Sequence, residues 1–366
     1  MASQNPKSKG NEGPYPLYNT TYTLHRLSPL YHGTAPLLDD ATLAQHARRF
    51  RDILKGDVLR GVRVGIGGND EGLGRAGVLQ DCRWTLLGNE RAWAEQDGGG
   101  GVYEADDVRV DEIAGVLAEI QYEKSTYTAV MLRSWQEKEA VTDEGFTHLP
   151  LLMTRMPAPL RETFLDYLST TFDTRPSPIK LSSAFLTSSL ENYLQDLTSG
   201  GDRLQSSTNL TTIVKDIQLT LVFSPPVAPS LKSLEITISQ DDILRFITRG
   251  KKLVQHQQPP EDTTLLRKRK FSSIENQDLA RLGPFTAALS RYTNAHLAMP
   301  LTHSDISISK IACGIFVLGA EGKVKIFAPH NVSGVDGGED RLSPGRKAVE
   351  RFVAGLVGRK LGEKMP

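Results

Sequence analysis

Residues 72–77 form the run in this chain that is most similar to a catalytic or cofactor-binding motif. The run reads Gly-Leu-Gly-Arg-Ala-Gly, which has the spacing of the dinucleotide-binding fingerprint. That fingerprint binds a pyrophosphate only where a strand leads directly into it and a helix leaves it, because the helix N-terminus holds the phosphates. Here glycine and polar residues precede the run, and the strand-like residues 78–85 follow it. We therefore predict a turn between two strands and no cofactor.

The histidines and cysteines do not form a recognisable metal or nucleophile motif. The eight histidines contain no His-x-x-x-His pair, and the two cysteines, Cys82 and Cys313, lie within separate β-like runs. We expect both thiols to be small core residues in a reducing compartment. A catalytic triad assembled only in three dimensions stays open, although no Gly-x-Ser-x-Gly run indicates one. The sequence therefore favours a protein with no enzymatic activity and no metal.

Basic side chains are the remaining candidates for binding chemistry, because lysine and arginine contact nucleic-acid phosphates. The run at 267–270 lies in a polar segment and also fits a nuclear-import signal or a solvated loop. A C-terminal segment combines basic residues with an apolar stripe, which favours a helix that packs on the core and shows its basic face to water. Two lysines of a preceding strand would join the surface of that helix. The predicted DNA or phosphate contacts are Arg267, Lys268, Arg269, Lys270, Lys323, Lys325, Arg346, Lys347 and Arg351.

Length and composition limit the class of protein. The chain has 366 residues with 43 basic and 43 acidic side chains, so net charge does not draw the whole protein to nucleic acid. No apolar run approaches the ~18 residues that span a bilayer, and the polar start is unlike a signal peptide, so we expect a cytosolic or nuclear protein. The length suits two domains. We predict a disordered tail at 1–13, an N-terminal α+β domain at 14–150 and a C-terminal α+β domain at 151–366 with an exposed loop at 251–273.

Interleaved strands and helices without a repeating βαβ rhythm predict an α+β fold with mostly antiparallel sheets and packed helices. Helix patterns begin at Asp39 or Asp40 and at Pro159. We also predict a short helix over 111–120 and a helix opened by Ser177-Pro178, with serine as the cap and proline at the first position. Strand patterns occur at 15–31, 77–87, 126–132, 212–223 and 231–238.

The β-rich segment 306–327 is the clearest structural signal. One strand from Ile306 to Leu318, a glycine-flanked turn and a second strand from Lys323 predict a hairpin. Both faces of the first strand are apolar from Ile311 onward, so both require cover. Either this chain's own sheet and helices supply that cover, or another protein chain completes one face or edge. The predicted partner interface is Ile311, Cys313, Ile315 and Val317.

Several segments share the core-residue pattern of one protein family. They are Tyr18–Tyr31, Leu59–Val64, Leu149–Arg155, Ser183–Leu186 with Leu190–Leu194, and Leu219–Leu234. Together these segments resemble the fungal subunits of the inner-kinetochore network in the CENP-L family. The resemblance extends over most of the chain and consists of core patterns, without a chemical signature.

The resemblance implies a non-enzymatic α+β scaffold with a CENP-L/CENP-N-like fold, located at the centromere in the nucleus. It implies a heterodimer with a CENP-N-like subunit through sheet-to-sheet contact, with a basic groove that faces DNA. We therefore expect a structural subunit that contacts other inner-kinetochore proteins and helps to anchor the assembly on centromeric chromatin, with no membrane and no small-molecule substrate. The alternative is a stand-alone DNA-binding protein that uses the basic loop and the C-terminal helix.

Overall fold

The computed structural model describes residues 15–59, 76–88, 113–134, 145–198, 215–224, 230–255, 282–329 and 344–358. The predicted tail, the basic run at 267–270 and most of the glycine run at 72–77 lie outside these ranges. Helices and antiparallel sheets are interleaved along the chain, which confirms the α+β fold class.

The described residues form two compact units, one from residues up to 179 and from 354 onward, the other from 180–353. The domain division at residue 150 stays a prediction. The elements of the first unit are β1 (Thr21–Arg26), β2 (Leu30–Tyr31), α1 (Asp40–Leu59), β3 (Leu79–Gly88), β4 (Ile113–Tyr122), β5 (Thr126–Leu132), β6 (Phe146–Thr147), β7 (Leu151–Arg155), α2 (Ala158–Phe172) and β8 (Ser177–Pro178).

The first unit is built on one antiparallel sheet with the strand order β8-β1-β7-β5-β4-β3, beside a small pair of β2 and β6. Helix α1 begins as predicted, because the Thr42 N–H donates to the Asp39 carboxylate at 2.9 Å. Helices α1 and α2 share a core with β3, β4 and β5. The Phe164 ring lies 5.4 Å from Phe50 and 5.7 Å from Trp84, centroid to centroid, so aromatic packing joins both helices to the sheet.

Strand β4 corrects the prediction of a short helix over 111–120. Its residues are buried on both faces between β3 and β5, and only Gln121 is exposed. A strand covered on both sides loses the polar alternation that identifies it in sequence. Gly115 also requires close pairing, since a Cβ there would lie 1.9 Å from the Met131 carbonyl oxygen. Pairing with β3 and β5 and burial of both faces therefore determine that this segment is a strand.

Strand β8 corrects a second prediction, that Ser177-Pro178 opens a helix. The Ile179 N–H donates to the Leu24 carbonyl at 3.0 Å, which holds the segment against β1. The next helix begins at Ser183, and the Phe185 N–H donates to Ser182 Oγ at 3.3 Å. Pairing with a sheet edge thus prevailed over the capping preference of the Ser-Pro dipeptide.

The second unit contains an antiparallel sheet with the order β10-β9-β11-β12-β13. The predicted exposed loop at 251–273 begins too early, because its first five residues are helical and the rest lie outside the described residues. The elements are α3 (Ser183–Thr198), β9 (Ile217–Phe223), β10 (Ser233–Ile238), α4 (Gln240–Gln255), α5 (Pro284–Leu297), β11 (Ile306–Ala312), β12 (Phe316–Gly319), β13 (Lys323–Ile326) and α6 (Pro344–Val357), whose residues from 354 belong to the first unit.

Candidate interaction surface of the C-terminal sheet

The segment 306–327 contains three strands rather than the two predicted. Strand β11 ends at Ala312, the chain turns, and β12 returns beside it with Ala312 opposite Val317. The Cys313 N–H closes this turn by donating to the Phe316 carbonyl at 2.9 Å. The second turn, at 320–322, leads into β13 as predicted. A single strand from Ile306 to Leu318 is therefore wrong.

A bulge in β11 changes which side chains share a face. Ile308 lies opposite Leu221 of β9, whereas Ile311 lies opposite Leu219, so three residues of β11 span two of β9. Both isoleucines consequently lie on the same face and are buried. The inference that both faces are apolar from Ile311 onward is wrong, because β11 ends at Ala312 and the face that carries Ala312 and Val317 is only partly buried and otherwise polar.

One face of this sheet is covered by the chain's own helices. The Phe316 ring lies 6.3 Å from Tyr193 of α3 and stacks at 4.5 Å on Phe352 of α6. The predicted apolar stripe of the C-terminal helix is buried as expected. The stripe consists of Val349, Phe352, Val353, Leu356 and Val357.

The opposite face, which we call the open face, carries polar and partly exposed side chains in two cross-strand rows. In each row the residues lie side by side, so their side chains form a continuous surface. The rows are Glu235–Thr220–Lys310–Gly319–Lys323 and Thr237–Gln218–Ala312–Val317–Lys325. All of these residues are exposed or half-buried. The open face thus has three lysines and one glutamate around a small apolar centre of Ala312 and Val317.

The four predicted partner contacts do not share this surface. Ile311 is 0% exposed on the covered face, and Cys313 and Ile315 are buried in the turn between β11 and β12. Only Val317 is half-buried on the open face. The interface assignment stays a prediction, but three of its residues are already covered within this chain.

The predicted basic contacts divide between two surfaces. Lys323 and Lys325 lie on the open face, where Lys323 pairs with Glu321 at 2.9 Å and Lys325 lies 5.3 Å from the Phe327 ring. Arg346, Lys347 and Arg351 belong to α6, which packs on the covered face. The expectation that both lysines join the surface of the C-terminal helix is therefore wrong.

Two further observations refine the charge distribution. Arg351 is bonded to Asp196 of α3, so its guanidinium already has an anionic partner. Burial raises the pKa of Asp196, and the adjacent Arg351 opposes that effect. Lys310, by contrast, is exposed on the open face beside Gly319 and was missed in the sequence. Lys310 lies on this face because of the bulge in β11, and no local sequence pattern predicts that bulge.

Strand β10 is the outer strand of this sheet among the described residues. Its only described neighbour is β9, so its other edge presents unpaired backbone groups within that part of the chain. Leu234 and Ile236 of this strand are half-buried and lie opposite Leu221 and Leu219. Leu231, just before the strand, is 36% exposed. Within the part of the chain that the structure describes, the sheet margin is therefore apolar and incompletely covered.

Comparison with known proteins identifies the family. The family model described as Centromere protein L matches residues 16–361, which is nearly the whole chain. The chain belongs to the CENP-L family. CENP-L proteins are structural kinetochore proteins, so this chain is a kinetochore subunit of the centromere, in the nucleus, with a role in chromosome segregation. No curated protein matches it.

The thiols of this CENP-L chain belong to its core. Burial raises the pKa of both Cys82 and Cys313 to about 12, so both are neutral thiols at physiological pH. Both cysteines are free and buried, as predicted. Within the described ranges, no three potential metal ligands cluster, and no helix has the length and apolar character to cross a membrane.

Proposed function

We propose that this CENP-L chain is a non-enzymatic structural subunit that heterodimerises with a CENP-N-like subunit through its C-terminal sheet. In that role it helps to anchor the inner kinetochore on centromeric chromatin. The observation that carries the proposal is the apolar margin at β10. Family membership supports the kinetochore setting, and the sheet margin supports the mode of pairing.

The physical argument concerns the edge of a sheet. An exposed edge strand offers unpaired N–H and C=O groups to any other strand, and soluble proteins usually protect such edges with charge or short length. Strand β10 has six residues with the sequence Ser-Leu-Glu-Ile-Thr-Ile, and only Glu235 is charged. Adding a partner strand would bury Leu234 and Ile236 and satisfy the backbone of β10. Val317 lies on β12 in the interior of the sheet, so the edge contact at β10 does not require it.

The test is co-purification with the CENP-N-like subunit after co-expression. The double variant Leu234→Asp with Ile236→Asp should abolish co-purification and leave the fold intact, because both side chains are only half-buried in the single chain. The matched control is Ser233→Asp with Thr237→Asp, which adds the same charge to the exposed face of β10 and should retain the partner. A folded Leu234→Asp, Ile236→Asp variant that still co-purifies at wild-type yield would refute the edge contact.

Separate variants test the predicted interface residues. Ile315→Asp and Val317→Asp should differ, because Ile315 is buried in a turn whereas Val317 is half-buried on the open face. We expect Ile315→Asp to lower stability. Val317→Asp should stay folded and weaken pairing only if the partner reaches the open face.

For DNA we propose that the heterodimer contacts phosphates through the lysines of the open face. Lys310 and Lys323 lie in one cross-strand row and Lys325 lies in the neighbouring row, which gives three positive charges on one surface. Each phosphate contact adds about 0.9 to the slope of log affinity against log salt for duplex DNA. Replacing all three lysines by alanine should therefore reduce the slope by roughly 2–3.

The control for this measurement is the pair Arg346→Ala and Lys347→Ala on α6, on the covered side of the sheet. A larger loss of slope in this control than in the lysine variant would move the DNA surface to α6. DNA binding by the isolated chain distinguishes this proposal from the alternative, a stand-alone DNA-binding protein. If the isolated chain binds DNA with the same affinity and salt slope as the heterodimer, the hypothesis of a stand-alone DNA-binding protein is correct.

A further inference from the structure

The segment that forms β8 contains a Ser-Pro dipeptide with a lysine at the third following position. The sequence Ser177-Pro178-Ile179-Lys180 has the pattern that proline-directed protein kinases phosphorylate. Pro178 and Lys180 are exposed, and Ser177 is half-buried in an extended segment. A two-residue strand opens locally at low cost, which gives a kinase access to the hydroxyl.

Arg26 lies directly opposite Ser177 in the antiparallel ladder between β1 and β8. Directly opposed residues of such a pair point their side chains to the same face, with Cβ atoms about 4.5–5.5 Å apart. A phosphate on Ser177 would therefore lie within reach of the Arg26 guanidinium.

The Arg26 guanidinium holds the end of α6. It is 6% exposed and donates to the carbonyl oxygens of Val357 at 2.7 Å and Leu356 at 3.1 Å. A third contact, at 3.4 Å, goes to the Pro150 carbonyl. The last carbonyls of a helix carry partial negative charge and have no partner within the helix, so a cation there stabilises the final turn.

We propose that Ser177 is a phosphorylation site and that its phosphate draws the Arg26 guanidinium away from the end of α6. The co-substrate is ATP, supplied with a proline-directed serine/threonine kinase. Ser177 Oγ forms the new bond to the γ-phosphorus as the bond to the bridging oxygen breaks. ADP leaves, and the hydroxyl proton passes to the catalytic base of the kinase.

The direction of the change follows from charge. A phosphoserine carries about −1.5 to −2 charges and three acceptor oxygens, so it competes strongly with neutral carbonyls for a guanidinium. A phosphate near a helix C-terminus also repels the carbonyls that remain. Phosphorylation should therefore release the last turn of α6, at residues 354–358, without unfolding the sheet.

A second Ser-Pro dipeptide in the same unit serves as an internal control. Ser28-Pro29 is followed by Tyr31 at the third position, so it lacks the basic residue. Its hydroxyl is also engaged, because Arg175 N–H donates to Ser28 Oγ at 2.9 Å. We expect no phosphate on Ser28.

The first experiment treats the full chain with a proline-directed kinase and ATP and locates the phosphate by mass spectrometry. We expect modification at Ser177 and its loss in both Ser177→Ala and Pro178→Ala, since the second variant removes kinase recognition and leaves the hydroxyl. Ser28→Ala should leave the modification at Ser177 unchanged. If the folded chain takes up no phosphate at Ser177, the proposed site is wrong.

The second experiment measures hydrogen exchange of the α6 amides with and without the phosphate. Losing charge-assisted hydrogen bonds of the Arg26 kind should speed exchange at residues 354–358 by about ten-fold or more. Arg26→Gln should show fast exchange already, with no further increase on phosphorylation, whereas Arg26→Lys should retain part of the protection. Unchanged exchange in phosphorylated wild type, or an equal further increase in Arg26→Gln, would overturn the switch.

Discussion

Replacing Gly250 with alanine should destabilise the protein, although glycine to alanine in a helix normally stabilises it. Gly250 lies in α4 against the first turn of α5. A Cβ at this position would lie 1.7 Å from the Pro284 carbonyl oxygen and 2.4 Å from its carbonyl carbon. Real Cβ atoms essentially never approach closer than 3.0 Å, so the two helices must separate by more than 1 Å.

The expected magnitude is the balance of one stabilising and two destabilising terms. Alanine gains about 1 kcal/mol over glycine through helix propensity. Overpacking in a core costs about 1–3 kcal/mol, and the obstacle here is backbone, which cannot rotate away as a side chain can. Separation of the helices also disturbs the cap of α5, where the Thr286 N–H donates to Glu191 at 2.6 Å, and loss of a cap costs about 1 kcal/mol. The net loss in the free energy of unfolding should be about 1–3 kcal/mol.

The assay is urea unfolding, with the midpoint compared at unchanged slope. The matched control is Gly56→Ala in α1, where a Cβ would meet nothing within 4 Å. This control should raise the free energy of unfolding by about 0.5–1 kcal/mol. If Gly250→Ala stabilises the protein as much as Gly56→Ala does, the reasoning from close approach is refuted.

Three further predictions concern buried groups. Burial lowers the pKa of His25 from 6.5 to about 4, so the folded state resists its protonation and the free energy of unfolding should fall by up to roughly 3 kcal/mol as pH drops through that window. His25→Gln should flatten this part of a urea-midpoint series against pH, and an unaltered profile would contradict the assignment. Burial outweighs two backbone hydrogen bonds and raises the pKa of Glu191. The contribution of this carboxyl group to the free energy of unfolding is therefore fully present below its ordinary pKa of 4.5, and it is lost as pH rises through the raised pKa. Glu191→Gln should lose less stability than wild type over that rise, measured in the same series. Trp84→Ala should cost about 3–5 kcal/mol, because the buried indole packs against both Phe164 and His46. A loss below about 1 kcal/mol in thermal unfolding would count against this packing.

The elements that could be predicted are those whose signals are local. An aspartate before an apolar period marked the start of α1, and the stripe from Val349 to Val357 predicted which face of α6 is buried. The core pattern of the family likewise spans many short segments, and the match over residues 16–361 confirms the family. Each of these signals depends on neighbouring residues in the chain, so no knowledge of distant partners was needed.

The predictions that failed concern elements whose structure depends on pairing with distant strands. Strand β4 lacks the polar alternation of a strand because both of its faces are buried, so its sequence was interpreted as a helix. Ser177-Pro178 has the residue types that favour a helix start, but it pairs with the edge of β1 and forms β8. The faces of the segment from Ile311 to Val317 were misassigned for the same reason, since the bulge after Ile308 and the turn after Ala312 are set by the register with β9 and β12.

The amino-acid sequence by itself determined the family, the α+β class, the capped start of α1 and the burial of both cysteines. Only the tertiary structure decided that Lys310, Lys323 and Lys325 share one surface and that Ile311 is hidden on the other. The reason is the two-residue period of a strand. One extra residue or one added turn reverses the face of every side chain that follows, and the choice is made by the neighbouring strand.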